Sequence, residues 1–143
     1  MPYEFLPDLA TADIAFRAWG RTLEETFQAA ADATLNVMVE DLESVEPRDE
    51  RAIGLERESA EMLLFDFLQE LIYYKDAEAL LLRVPELEIR QPASRCVLRA
   101  RARGERIDPA RHRLRVDVKA VTLHEFRLEP VEGGWQAQVI LDI

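Results

Sequence analysis

The 143-residue sequence predicts an α+β fold, a largely antiparallel sheet with two amphipathic helices packed on it, in a single domain spanning residues 1–143. Three observations lead there. A capped helical repeat follows Thr22, a leucine-rich stripe runs from Leu63 to Ile72, and the second half of the chain alternates apolar and charged residues.

Residues 3–8 carry aromatics beside prolines and read as a short entry strand or loop. From Asp13, Ile14, Phe16 and Ala18 alternate with Arg17 and Trp19, and Gly20 stops the run, so a strand is expected to begin at Asp13. Thr22-Leu23-Glu24-Glu25 has capping-box form, with the Thr22 hydroxyl placed to accept from the Glu25 amide. The helix that follows repeats Leu23, Phe27, Ala30, Thr34, Leu35 and Met38 at helical spacing, and its small residues suit close packing on a sheet. Residues 40–50 are acidic, lack EF-hand spacing and contain Pro47, so a solvated connection is expected, then a short strand around Arg51 to Arg57. The second helix carries Leu63, Leu64, Phe67, Leu68, Leu71 and Ile72 on one face and ends near Tyr73-Tyr74-Lys75.

Beyond it, Leu80 to Val84 and Leu87 to Ile89 are short apolar runs split by Pro85. Arg95 to Arg103 and Leu114 to Leu123 read as two strands joined through Gly104 to His112, each with one apolar and one charged face. A strand from Phe126 to Glu129 then turns through Glu132-Gly133-Gly134 into a terminal strand. In that strand Trp135, Ala137, Val139, Leu141 and Ile143 share a face.

Composition narrows the function classes. No apolar run approaches the roughly 18 residues that cross a bilayer, and the N-terminus lacks the basic and apolar regions of a signal peptide, so a cytoplasmic protein without membrane contact is expected. The lone Cys96 shares a strand face with Leu98 and Ala100 and reads as a buried, inert thiol. Net charge is −10, which opposes binding to phosphate backbones. The Arg95–Arg115 stretch departs from this, setting eight arginines against Glu105 and Asp108, so the molecule has a basic side.

The usual catalytic signals are missing. The glycines form no phosphate-cradling loop, no serine sits in a nucleophile elbow, and His112 and His124 with one cysteine are too few for a zinc site, so no catalytic residue is assigned. Oxygen chemistry remains. A pinned terminal strand leaves the Asp142 side chain and the Ile143 carboxylate close together, two like charges that call for a cation between them or for solvent around them. If the strand that begins at Asp13 pairs antiparallel with the terminal strand, a third carboxylate joins them. Such a set prefers calcium, magnesium or manganese over softer metals. The alternative is an edge strand that ends in water with solvated carboxylates.

Over its whole length the chain resembles the archeases. The likeness rests on Thr11-Ala12-Asp13, Trp19-Gly20 with Thr22-Leu23-Glu24-Glu25 and Phe27, the Leu63-Leu64 to Leu71 stripe, Gly104-Glu105, Val118-Lys119-Ala120-Val121-Thr122 and the final Asp142-Ile143. Each motif is weak alone; in this order they are specific. The resemblance implies a small α+β protein that is not an enzyme but activates an RtcB-type RNA ligase, promoting guanylylation of the ligase histidine and multiple turnover in tRNA splicing and RNA repair. It further implies a divalent metal site, usually calcium, formed by Asp13, Asp142 and Ile143. Lys119 matches the family lysine and is a candidate partner-binding residue, with an ordinary strand lysine paired to Asp117 or Glu125 as the alternative.

The chain departs from the family pattern at two positions, with Ala10 where a histidine usually precedes Thr-Ala-Asp and Leu123 where a tyrosine often follows. A competing reading, supported by a family link to tRNA methyltransferases, is an RNA-binding or tRNA-modification accessory module that uses the Arg95–Arg115 face. The net charge argues that direct RNA binding is weak or absent.

Overall fold

The Thr22 cap forms as its sequence predicts. Its Oγ1 accepts from the Glu25 amide at 3.1 Å, and the helix it opens, α1 (Leu23–Met38), is buried on nearly every side. A helix enclosed all round belongs in the middle of a molecule, and α1 lies in a central layer with α2 (Ala60–Glu78). The computed structural model describes residues 2–10 and 12–143.

Among the described residues, seven strands lie in two sheets that enclose the helices. One sheet has the order β1-β2-β7-β6, built from Tyr3–Phe5, Ile14–Gly20, Gly134–Asp142 and Ala120–Val131. The other has the order β3-β5-β4, built from Asp49–Arg57, Cys96–Arg106 and Leu80–Arg90. All pairings are antiparallel. The α+β class is therefore as the sequence predicts, with the strands divided between two sheets. Alternation reports which face of a strand is buried but not which strand lies beside it.

Helix side chains cover the sheet edges that adjoin them. Gln28 of α1 donates to the Val84 and Pro85 carbonyls of β4, and Glu24 accepts from the Ile89 amide. On β6 the Val121 and Leu128 amides donate to Gln69 and Glu61 of α2. Edge groups that would otherwise face solvent are thus partnered.

Several sequence expectations change. The two short runs around Pro85 are one edge strand, β4, whose register shifts between Arg83 and Glu86; proline, lacking an N–H, is tolerated at such an irregularity. Residues 114–119 form no strand with 95–103. Instead β5 lies between β3 and β4, and residues 114–119 run past the end of α1, leaving Leu114 and Val116 exposed at 46% and 40%. The strand expected from Phe126 to Glu129 is part of β6, which begins at Ala120 and is interrupted between Thr122 and Arg127, near the left-handed Glu125 (φ 51°). Cys96 is buried as expected.

The β5–β4 contact explains the Gly104-Glu105 motif. A Cβ at Gly104 would overlap the Leu81 carbonyl of β4, so only glycine lets the backbones meet. Glu105 then points into a buried polar cluster. It accepts from the Glu46 amide at 2.6 Å, from Arg111 and from His112 Nε2 at 3.2 Å. Burial pushes the Glu105 carboxyl up, but the Arg111, Glu46 and His112 hydrogen bonds outweigh it and hold the group down to about 2. His112 Nδ1 accepts from the Asp108 amide at 2.9 Å, which leaves the proton on Nε2 for Glu105. The cluster anchors the start of the long connection from β5 to β6.

Candidate metal and partner-binding site

Hydrophobic anchoring sets the position of β7. Ala137, Val139, Ile140 and Leu141 are buried, and Ile143 packs against the same core. The register with β2 runs from Gly20↔Trp135 to Ile14↔Leu141, so the next positions outward are Asp13 and Asp142. The strand leading from Asp13 and the terminal strand are thus antiparallel neighbours, as the sequence requires for a shared site. Asp13 lies one residue outside β2, half-buried, and Asp142 is the exposed last residue of β7. Residues directly opposed in antiparallel strands hold their Cβ atoms about 5 Å apart, within the reach of two carboxylates on one ion.

Lys119 arrives at the same end from the other side. Its amide donates to the Asp142 carbonyl at 2.8 Å, and Ala120 is paired with Asp142, so Lys119 lies alongside Ile143. Thr122 Oγ1 donates to the Ile140 carbonyl at 3.0 Å and holds β6 to β7 just before the register shift. Asp13, Asp142, Ile143 and Lys119 are thereby gathered at one end of the four-stranded sheet. Thr11 of the Thr-Ala-Asp motif lies outside the described residues.

Among the described residues no group of three Asp, Glu, His or Cys side chains could hold a metal ion. The candidate set comprises two side-chain carboxylates and the main-chain carboxylate of Ile143. It is all oxygen, which fits a hard divalent cation such as calcium and not zinc or copper. Beside Asp13 a cleft of ≈ 300 Å³ is walled by Phe5, Leu6, Val37, Arg115 and Val116.

Lys119 makes no ion pair among the described residues: of the two carboxylates expected for it, Asp117 pairs with Lys75 and Glu125 lies near His124. This buried α2 lysine, only 7% exposed, donates to Asp76 and Asp117 at 2.5 Å each and to the Val118 carbonyl at 2.8 Å. Burial works against its charge, but the two carboxylates raise its pKa. Lys75 was not legible as a site-positioning residue. Its one sequence signal is a lysine at the end of an apolar helical stripe, and nothing in the sequence points to partners 42 and 43 positions away.

The basic stretch is largely neutralised. Arg95 pairs with Glu56, Arg101 and Arg103 with Glu50, Arg103 also with Glu86, and Arg111 with Glu105. The strands flanking β5 supply most of these carboxylates, so this face offers little net charge to a phosphate backbone. No helix is long and apolar enough to cross a membrane among the described residues.

Residues 3–143 match the model of the Archease protein family (MTH1598/TM1083). The archease of Pyrococcus furiosus is 40% identical over 134 residues, covering 93% of this chain and 94% of that protein. The archease of Methanosarcina mazei is 40% identical over 142 residues, covering 99% and 95%. Protein 1598 of Methanobacterium thermoautotrophicum, solved in solution, is 36% identical with a TM-score of 0.86 over 99% of both chains. The crystal structure of a Thermotoga maritima archease, described as a possible chaperone, shares the fold at a TM-score of 0.65 and 20% identity over 96% of both chains.

Proposed function

The chain belongs to the archease family, and from that premise we propose that it is a non-enzymatic activator of an RtcB-type RNA ligase. In this reading it promotes guanylylation of the ligase and repeated turnover in tRNA splicing and RNA repair. The observation that supports it is the gathering of Asp13, Asp142, Ile143 and Lys119, the residues selected by family resemblance, at one end of one sheet.

Asp13, Asp142 and the Ile143 carboxylate would hold a divalent ion, calcium by the chemistry of the oxygen set. When bound, the ion supplies positive charge that offsets three converging carboxylates. Lys119 lies beside them, without an internal ion pair among the described residues, and is available to neutralise a phosphate or carboxylate of the partner. Activation works by differential binding. The protein holds the ligase in the conformation that accepts GTP, and an activator that bound both ligase conformations equally would accelerate nothing.

The test is reconstitution. Purified protein is mixed with a histidine-guanylylating RNA ligase, GTP and manganese, and ligation is followed over many turnovers. The expected result is conversion from a single turnover to continuous turnover. A ligase that stalls equally with and without the protein refutes the proposal.

A further inference from the structure

Residues 113–119 carry a strand pattern, Leu114, Val116 and Val118 alternating with arginines, Asp117 and Lys119, yet among the described residues they join no ladder beyond a single bridge between Val39 and Leu114. That bridge shows how the ribbon is used. The Glu40 amide donates to the Arg113 carbonyl at 2.9 Å and the Arg115 amide to the Met38 carbonyl at 2.9 Å. In an antiparallel bridge bonded through the flanking residues, the central residue turns its own N–H and C=O to the other side. Leu114 therefore presents both main-chain groups away from α1.

The side facing α1 is fully committed. The Val116 amide donates to the Val37 carbonyl at 3.2 Å and Arg115 Nη1 to the Asn36 carbonyl at 3.3 Å. Together with the Val39 amide on Leu35, these bonds satisfy the last carbonyls of the helix, and the Arg115 cation sits at its negative end. On the opposite side, among the described residues, the ribbon has no main-chain partner until Lys119 reaches Asp142.

Two apolar side chains of this ribbon are left uncovered as well. Leu114 and Val116 are 46% and 40% exposed. Val116 borders the cleft beside Asp13, and both residues border a second cleft of ≈ 220 Å³ floored by Met38, Leu81 and Ile107. Arg113 and Arg115 alternate with them, and the one nearby carboxylate pairing among the described residues is the exposed Arg113–Glu40 contact at 3.6 Å.

We propose that residues 113–117 are a docking edge for an extended segment of the partner ligase. That segment pairs main chain to main chain with Leu114, sets carboxylates opposite Arg113 and Arg115, and seats apolar side chains over Leu114 and Val116. Charge decides the occupant. The outward N–H and C=O of Leu114 select a self-pairing centred on Leu114, which would set Arg113 against Arg115 on both sides, and like-charge cross-strand repulsion disfavours it. An acidic segment is complementary, and the edge leads directly to Lys119. The inference rests on the ligase reading above.

Two measurements on the full chain test it. Amide hydrogen exchange is recorded with and without purified RtcB-type ligase, and the concentration needed for half-maximal activation is compared for the wild type and a Leu114→Ser, Val116→Ser double variant. Both side chains are exposed, so the double variant should melt with the wild type. Expected are slower exchange at Leu114 in the complex and a rise of at least about tenfold in the half-activating concentration, with an unchanged maximal rate. Unaltered exchange at Leu114 together with unaltered half-activation overturns the docking edge while a fully activating wild type upholds the functional reading. A wild type that neither binds nor activates the ligase overturns both. Sedimentation of the chain alone as a dimer that protects Leu114 overturns the choice of occupant and with it the proposal.

Discussion

Asp142→Asn isolates the carboxylate site from the fold that carries it. Carried one position beyond Ile14↔Leu141, the register would set Asp142 opposite Asp13, and carboxylates on opposed strand positions stand on the order of 6 Å apart. At that separation two negative charges repel by about 0.7 kcal/mol in a water-like medium and about 3 kcal/mol at an effective dielectric of 20. Asp142 is exposed and Asp13 half-buried, so a value near the lower end, about 1 kcal/mol, applies. Without divalent ions, neutralising Asp142 should therefore leave the melting temperature unchanged or raise it by about 2–4 °C. With calcium the order reverses. Free ion at about a hundred times its dissociation constant stabilises the wild type by about 2.7 kcal/mol, or roughly 8 °C for a chain of this length, and the variant should lose most of that gain. Calorimetric melting in chelator and across a calcium titration reads both effects, and Asp13→Asn should behave alike. A wild type whose melting temperature is unmoved by calcium, magnesium or manganese would refute the metal assignment. Folded Asp142→Asn protein that activates the ligase fully would refute the assignment of the functional site.

Two further predictions concern the supports of that site. Glu105 has a folded-state pKa of about 2, below its ordinary value, so it contributes stability that is present above about pH 4.5 and lost as pH falls toward 2. Glu105→Gln should lower the unfolding free energy measured by urea denaturation at neutral pH by on the order of 2 kcal/mol and flatten the acid limb between those values; parallel acid limbs would contradict the charged-acceptor role. Lys75→Met keeps the buried stem but leaves the Val118 carbonyl without its donor, which should cost about 1–3 kcal/mol and speed amide exchange at residues 117–119. Unchanged exchange there would show that the connection holds its path without the lysine.

Both helices were legible because their signals are local. Thr22 caps through a residue three positions on, and the Leu63 to Ile72 stripe needs only helical periodicity. The terminal strand and the placement of Asp13 beside Asp142 were legible for a related reason, since apolar alternation fixed both strands and an antiparallel pair brings the start of one to the end of the other. The division into two sheets was not. The β5 pattern of small apolar residues alternating with arginines is the same whether its neighbour is the segment after His112 or the strands on either side of it, and the Gly104 contact with Leu81 that selects β4 is a tertiary fact. Leu114 to Lys119 has the pattern of a strand without forming one, because periodicity records a capacity for pairing without saying whether a partner is present in the chain.

The unpaired strand pattern and the site have a common physical origin. The connection from β5 to β6 is held by the buried Glu105 cluster at its start, by the helix-end carbonyls of α1 in its middle and by Lys75 near its close. Each hold draws on a group that would be costly to leave unsatisfied: a buried carboxylate, the orphan carbonyls of a helix, a buried ammonium. The ribbon is therefore held on its inner side for reasons of stability alone, while its outer side keeps the Leu114 main-chain groups, Arg113 and two apolar side chains exposed. Lys119 follows immediately, beside Asp142 and Ile143. A partner meeting this end of the sheet encounters a preorganised surface, and the ordering cost that weakens binding to flexible loops has already been met in folding.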